Sequence, residues 1–312
     1  FHLLLLANNH ILDYGKNGLK ATIQEIKSNQ LDYTGVGLNF ENAYCPIIKR
    51  INGLTIGIIN AAEAQFGVLD YFRNNDEPGY AWINHYRIDQ TILRLKNQCD
   101  FVIVFSHAGL EHYSIPQKEW RIRYRQLCEL GADAVVGSHP HEPQGYEYHQ
   151  DSLIVYSLGN FYFDFENYRY KEDRSYSVLL KLEKSRPIKF EPVFHHKENG
   201  VVQVSPIEKQ IDITYLNGQL EEAYSSLHDE MSVRAYEKGI KRKLTYSLMP
   251  IPYDGTIKGT LSRVVQTLLR KKKKTDKNLL QLHLLRNEAY YYAAKHALEV
   301  KVRMRENNEK KD

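Results

Sequence analysis

The chain has little with which to staple itself together or to cross a membrane. Its three cysteines, Cys45, Cys99 and Cys128, are scattered and odd in number. They carry neither a paired framework nor metal-ligand spacing, so no disulfide scaffold is expected. No apolar run resembles a signal peptide or a membrane span, and the opening stretch over residues 3–7 is too short for either. Net charge is only +4 over 312 residues, so nucleic acid is not expected as a partner of the chain as a whole. Internal repeats are missing. What is present is apolar mass: 42% hydrophobic and 12% aromatic residues, enough for one large core or two ordinary ones. Tyrosine is abundant at 23 copies, and its ring can be half-buried with a wet hydroxyl.

Residues 1–7 read as a strand buried on both faces, ending in the polar turn Asn8-Asn9-His10. The chain enters this core-like strand almost at once, so an N-terminally incomplete sequence is expected. Any export signal or membrane anchor would then precede Phe1. Leu19, Ile23 and Ile26 predict a helix over 16–28; residues 35–39 read as a loop. Asn52-Gly53 between apolar runs predicts a hairpin. Residues 61–79 read as a long surface excursion. A helix over 87–98 precedes the clearest buried strand, 100–106, which ends at His107-Ala108-Gly109. A helix over 117–130 stops at Gly131. The short β-branched run Ala134-Val135-Val136 predicts another buried strand, broken by Gly137, Ser138 and Pro140. Strands over 145–148 and 153–156 pair, and 157–161 form a turn. From Ser175 to about 204 the apolar residues alternate, as in antiparallel strands with one exposed face. Beyond about residue 210 the composition turns helical: 220–232, 233–248, 257–269 and 279–302, with a break at Met249-Pro250-Ile251-Pro252.

Three apolar strands thus end in histidine: at Asn9-His10, at His107, and at His139 with His141. Helix-prone segments alternate with them, which predicts an α/β fold with a largely parallel core. In such sheets strand C-termini share one edge, where ligands bind. Neutral imidazole suits zinc, iron and manganese-like ions. A lone histidine after a strand is ordinarily a loop residue, and Asn8 and Asn9 are ordinary turn formers. Three such strand ends together favour a shared metal site.

At these residues the sequence resembles the CapA, or PGA_cap, family of bacterial capsule synthesis proteins, within the calcineurin-like metallophosphoesterase superfamily. The resemblance rests on four stretches in order over about residues 1–205. They are Leu6-Ala7-Asn8-Asn9-His10 with Asp13-Tyr14-Gly15, and Ser106-His107-Ala108-Gly109 with Glu111, where the family more often has Trp at Ala108. Gly137-Ser138-His139-Pro140-His141 and Tyr156-Ser157-Leu158-Gly159-Asn160-Phe161 follow. It implies a layered α/β/β/α metallophosphoesterase-like sandwich over 1–208, incomplete at its N-terminus, with a helical, basic extension over 209–312. It implies Asn9, His107, His139 and His141 as ligands of divalent metal ions, two in the full-length protein, from among Mn, Fe and Zn. His10 would assist the leaving group or steady a phosphate. Glu111 is a candidate acid, base or amine-binding carboxylate, or else a solvated loop carboxylate. Asn160 could bind substrate, though a turn at Gly159-Asn160 explains it as well; Pro143, Gln144 and Gly145 shape a loop. The superfamily's earlier acidic motifs, including a bridging carboxylate, are not in this sequence.

The implied activity is metal-dependent hydrolysis of a phosphate ester or polymer in making a capsule such as poly-γ-glutamate. Partners would be an anionic polymer or phosphate-containing substrate and other capsule-synthesis proteins, at the cell envelope. The alternative is a non-catalytic polymer-binding or assembly protein retaining the fold. The basic run Arg270 to Lys274 reads as a solvated helix end, with anionic polymer, lipid or nucleic acid as the sharper reading. His283 and His296 read as polar-face or interface residues.

Overall fold

The computed structural model describes residues 1–72, 74–163, 174–248, 258–259, 261 and 276–310. Two compact units divide the chain, Phe1–Tyr224 and Ser225–Asp312. Chain order gives β1 (Leu3–Leu5), α1 (Gly15–Ser28), β2 (Asp32–Thr34), β3 (Val36–Gly37), α2 (Phe40–Ala43), β4 (Ile47–Ile51), β5 (Leu54–Ala62), β6 (Val68–Leu69) and β7 (Gly79–Ala81). It continues with α3 (Tyr86–Lys96), β8 (Phe101–His107), α4 (Lys118–Glu129), β9 (Ala134–Ser138), β10 (Tyr146–His149) and β11 (Ser152–Val155). An antiparallel set, β12 (Arg174–Lys181), β13 (Lys189–Glu198) and β14 (Val201–Val204), is followed by α5 (Ile213–Gly218).

The main sheet has the order β10-β11-β9-β8-β5-β4. Its centre, β11-β9-β8-β5, is parallel, and antiparallel strands close both edges. Parallel neighbours need crossovers: α3 lies between β5 and β8 and α4 between β8 and β9, while β10 intervenes between β9 and β11, and the two helices pack back on β5, β8, β9 and β11. Asn52 and Gly53 both have positive φ, 49° and 80°, as the expected two-residue hairpin turn requires. Alternation along the strands splits the sheet's two faces. Ile56, Ile58, Phe101, Ile103, Ala134, Val136, Leu153 and Val155 meet Tyr176, Ile188 and the partly buried Val178, Leu180, Phe190 and Phe194 of the second sheet. On the helix side Gly57 lets α3 approach closely: a Cβ there would sit 3.0 Å from Leu95 Cδ1. The result is helix, sheet, sheet, a mixed α/β fold as expected. Each fully buried aliphatic side chain in this core contributes about 1.5–3 kcal/mol.

Three readings of the first unit change. Residues 1–7 are not buried on both faces: β1 pairs in parallel with β2 in a sheet of their own, leaving Leu5 at 39% exposure and Phe1 at 94%. Residues 35–39 contain β3, and Asn39 caps α2 by accepting from the Asn42 N–H. Residues 61–79 are no surface excursion at their start. Strand β5 runs on to Ala62, and Ala61 through Gln65 are buried, with Val68 and Leu69 in a further strand. The mixed composition misled because the polar residues there are satisfied internally. They were not left to water.

Among the described residues, the second unit holds α6 (Tyr224–Ala235) from Ser225 onward, a π-helical turn (Tyr236–Ile240), α7 (Lys241–Leu248), α8 (Lys277–Arg286) and α9 (Glu288–Glu309). Ala289, Ala293 and Ala297, one turn apart on α9, are buried together with Met231, Ala235, Ile240 and Val300. Asn287 caps α9 by accepting from the Tyr290 N–H. The expected break at 249–252, most of the helix over 257–269 and the basic run 270–274 lie outside the described residues. Among the described residues no helix is long and apolar enough to cross a membrane.

One polar cluster ties α4 to β10. Glu147 accepts from Arg121 and Arg125 of α4 and from the Tyr156 hydroxyl. Burial alone would raise the Glu147 pKa, but the hydrogen bonds from Arg125, Tyr156 and Arg121 outweigh it and hold it at about 2, against an ordinary 4.5. A depressed carboxylate contributes stability above its unfolded pKa and loses it as pH falls through the folded one. Wild type should therefore exceed Glu147→Gln by up to about 3 kcal/mol at neutral pH. That gap should close between pH 4.5 and about 2. Urea unfolding of both proteins across this window measures it; a gap independent of pH would reject the ion cluster as its source.

Candidate metal centre

The site follows from strand register. In the parallel core Ala62 is level with His107, and His107 with Ser138. So β5, β8 and β9 finish side by side, and the residues just past each end share one edge. These are Glu63, His107 itself with Ala108, and His139-Pro140-His141. Backbone bonds continue the alignment, from Glu63 N–H to His107 O at 3.1 Å and from Ala108 N–H to Ser138 O at 3.0 Å. Asn9 comes from the turn after the separate β1. Its approach is set by Asn60, a buried residue of β5 whose side chain accepts from Ala7 N–H at 2.8 Å and donates to Phe105 O at 3.2 Å. Gly35 clears the way: it has φ 90°, and a Cβ would meet Asn60 Oδ1 at 2.4 Å.

His139 and His141 take positive φ, 102° and 63°, so the chain reverses at Pro140 without continuing as a strand. Left-handed backbone at two non-glycine residues costs of order 1–3 kcal/mol each and is found where surrounding structure holds it. The turn brings the rings together, with centroids 4.5 Å apart for His107 and His139 and 6.1 Å for His139 and His141.

Polar contacts link the group. His107 Nε2 faces Asn9 Oδ1 at 3.2 Å, and its Nδ1 faces Ser138 Oγ at 3.2 Å. Asn9 donates to Gln65 Oε1 at 3.2 Å, and Gln65 Nε2 lies 3.2 Å from His139 Nε2. Glu63, fully buried, accepts from Gln65 Nε2 and from the Gly109 N–H, the latter at 2.9 Å. Its Oε1 is 3.6 Å from His139 Nε2, and Glu111 Oε1 is 3.9 Å from the same nitrogen. His141 Nδ1 meets Asn160 Oδ1 at 2.9 Å, and the His112 ring stacks on His141 with centroids 5.5 Å apart.

Burial, with the neighbouring His141 and His10 imidazoles, pushes the His107 pKa down to about 3. Burial, with His107, takes His139 well below the usual histidine range. Both rings are therefore neutral at physiological pH, the form that ligates metal. Donor atoms of Glu111, His139 and His141 lie within 4.8 Å of one another. This mix of neutral imidazole, carboxylate and amide oxygen fits a divalent transition ion.

Of the residues singled out in the sequence, Asn9, His107, His139, His141 and Glu111 meet here. His10 does not join their contacts: its side chain is 72% exposed and pairs with Asp13 at 2.8 Å. Asn160 does more than turn the chain, since it orients His141. Glu63 and Gln65 were missed because they fell in the supposed excursion. Their signal was positional: the first polar residues after a parallel strand belong to the same edge. Glu63→Ala should cost about 2–4 kcal/mol, because it leaves the Gly109 N–H and the Gln65 amide without their buried acceptor. Chemical denaturation reads this directly, and an unchanged midpoint would show that Glu63 holds nothing in place.

Residues 1–165 match the family described as bacterial capsule synthesis protein PGA_cap. A capsule biosynthesis protein CapA of Bacillus anthracis is 33% identical over 168 residues, covering 53% of this chain and 40% of that protein. A PGA biosynthesis protein CapA of Bacillus subtilis (strain 168) is 31% identical over 211 residues, 67% of this chain and 51% of that protein. The chain thus spans about half the length of these relatives. Among solved structures, the 5'-nucleotidase precursor of Thermus thermophilus is loosely similar, with TM-score 0.38, 14% identity, and 70% and 42% of the two chains covered. The matched span contains the whole strand-edge cluster, from Asn9 through Asn160. On the strength of that match, the chain belongs to the bacterial capsule synthesis protein PGA_cap family.

Proposed function

We propose that the protein takes part in making a capsule polymer of the poly-γ-glutamate type, at the cell envelope, through a metal-dependent hydrolytic step at the strand edge. The bond cleaved would be a phosphate ester or a linkage of the polymer. The names of the Bacillus relatives support the pathway. The observation that carries the chemistry is the meeting of Asn9, His107, His139, His141 and Glu111 from separate segments at one edge.

In this reading Asn9, His107, His139 and His141 hold divalent ions, two in the full-length protein, drawn from Mn, Fe and Zn. Such ions, when bound, polarise the scissile group and lower the pKa of water. The chain's own residues do the rest. Buried Glu63 offsets cationic charge while Gln65 spaces Asn9 from His139. Asn160 keeps His141 in one orientation, as hydrogen-bonded partners of metal-ligating histidines do. Glu111, beside His139 and partly open to solvent, exchanges a proton with the substrate. His10, at the exposed rim, steadies an anionic or leaving group.

A second reading has its own observation. Asn9, Gln65, Glu63 and His107 already satisfy much of one another's hydrogen bonding. That is how a polymer-binding or assembly protein that kept the fold without the chemistry would look.

Elemental analysis of the full-length protein separates the two. Wild type should retain manganese, iron or zinc, and His139→Ala should bind it at least about tenfold more weakly. Equal metal in both proteins, at whatever level, would defeat the enzyme reading.

A further inference from the structure

A second set of metal-ligand side chains lies in the helical unit, outside the residues matched to the family. Helix α6 carries His228, buried at 3% exposure, and Asp229 beside it. Helix α9 carries His296. The two imidazoles lie edge to face with centroids 4.5 Å apart. His296 Nε2 is 2.6 Å from Asp229 Oδ1, and its Nδ1 is 3.9 Å from Glu299 Oε2. Ligand atoms of His228, Asp229 and His296 all fall within 4.8 Å of one another.

We propose that His228, Asp229 and His296 form a second divalent transition-metal site, of the zinc class, that clamps α6 to α9. Zinc takes nitrogen and oxygen donors at about 2.0–2.2 Å in tetrahedral array. Two imidazoles and a carboxylate supply three positions, and small side-chain rotations bring the donors onto one ion. A water completes the set; Glu299, one turn along α9, faces the other ring nitrogen of His296 and stays outside it. Arg303 of α9 bonds Asp229 Oδ2 at 2.9 Å. It therefore occupies the carboxylate's outer oxygen and leaves Oδ1 aimed at the imidazoles, the arrangement of a ligand steadied from outside. The competing arrangement is a plain ion cluster, in which the short His296–Asp229 contact is a hydrogen bond and Arg303 supplies the counter-charge.

As ligands the imidazoles would add no charge, so Asp229 supplies the anionic donor, while Arg303, 58% exposed at its side chain, screens from the rim. The ion would also add a tie between α6 and α9 to the one the Arg303–Asp229 pair already makes. The site is independent of the strand-edge chemistry, so either reading can stand without the other.

The test uses the whole chain, stripped with chelator, with the strand edge disabled by removing two of its ligands, His139→Ala and His141→Ala together. Titration with Zn²⁺ alone should still find about one equivalent per chain, and thermal unfolding should shift upward with zinc. Adding His296→Ala should weaken zinc binding by at least about tenfold and abolish the shift. With Co²⁺ in place of zinc, the visible absorption of the bound ion should be lost in the same variant. No zinc taken up after the double substitution, or uptake that His296→Ala leaves unchanged, overturns the proposal. Should that variant fail to fold by circular dichroism, Asp229→Asn in the same background must weaken binding instead; retention of full affinity there overturns it equally.

Discussion

Everything at the strand edge depends on the parallel register of β5, β8 and β9. Because Ala62, His107 and Ser138 are level, the chain delivers a carboxylate and three imidazoles to one line from stretches far apart in sequence. A register slip of one residue would turn each strand's core side chains to the opposite face. The apolar layer formed by Ile56, Ile58, Ile103 and Val136 against Tyr176 and Ile188 prevents that slip. Core packing and site geometry are therefore the same constraint seen from two ends of the strands.

Electrostatics follows from that placement. Removing His107 and His139 from water and setting imidazoles beside imidazoles disfavours the charged rings. Glu63, a fully buried carboxylate, is tolerated because Gly109 and Gln65 donate to it. Glu147 shows the opposite balance, where hydrogen bonds from Arg125, Tyr156 and Arg121 together outweigh desolvation and the carboxylate is held ionised. The first arrangement keeps lone pairs available for a cation, and the second locks α4 to β10.

The helical unit uses other means. Its buried apolar residues are few, Met231, Ile240, Leu284 and Val300 among them, with alanines spaced along α9 that bury little area each. Buried His228 with Asp229 and His296 adds a polar tie between α6 and α9 where hydrophobic mass is thin. The family match ends at residue 165, so this unit is read from its own residues alone.

Periodicity alone determined α1, α3 and α4, the β4–β5 hairpin and the buried strands β8 and β9. Each has an apolar pattern or a turn dipeptide whose physics is local. The histidines at strand ends also stood out, because a short apolar run followed by Gly, Ser or Pro leaves few other places for them. Tertiary structure decided the rest. It put β1 in a separate sheet, made β5 run on to Ala62, and sealed Glu63 beside His139. It also set His10 at the surface with Asp13 and gave Asn160 a partner in His141. None of these can be read from neighbours in sequence: burial of a polar side chain depends on distant groups that satisfy it, and those meet only when the sheet closes.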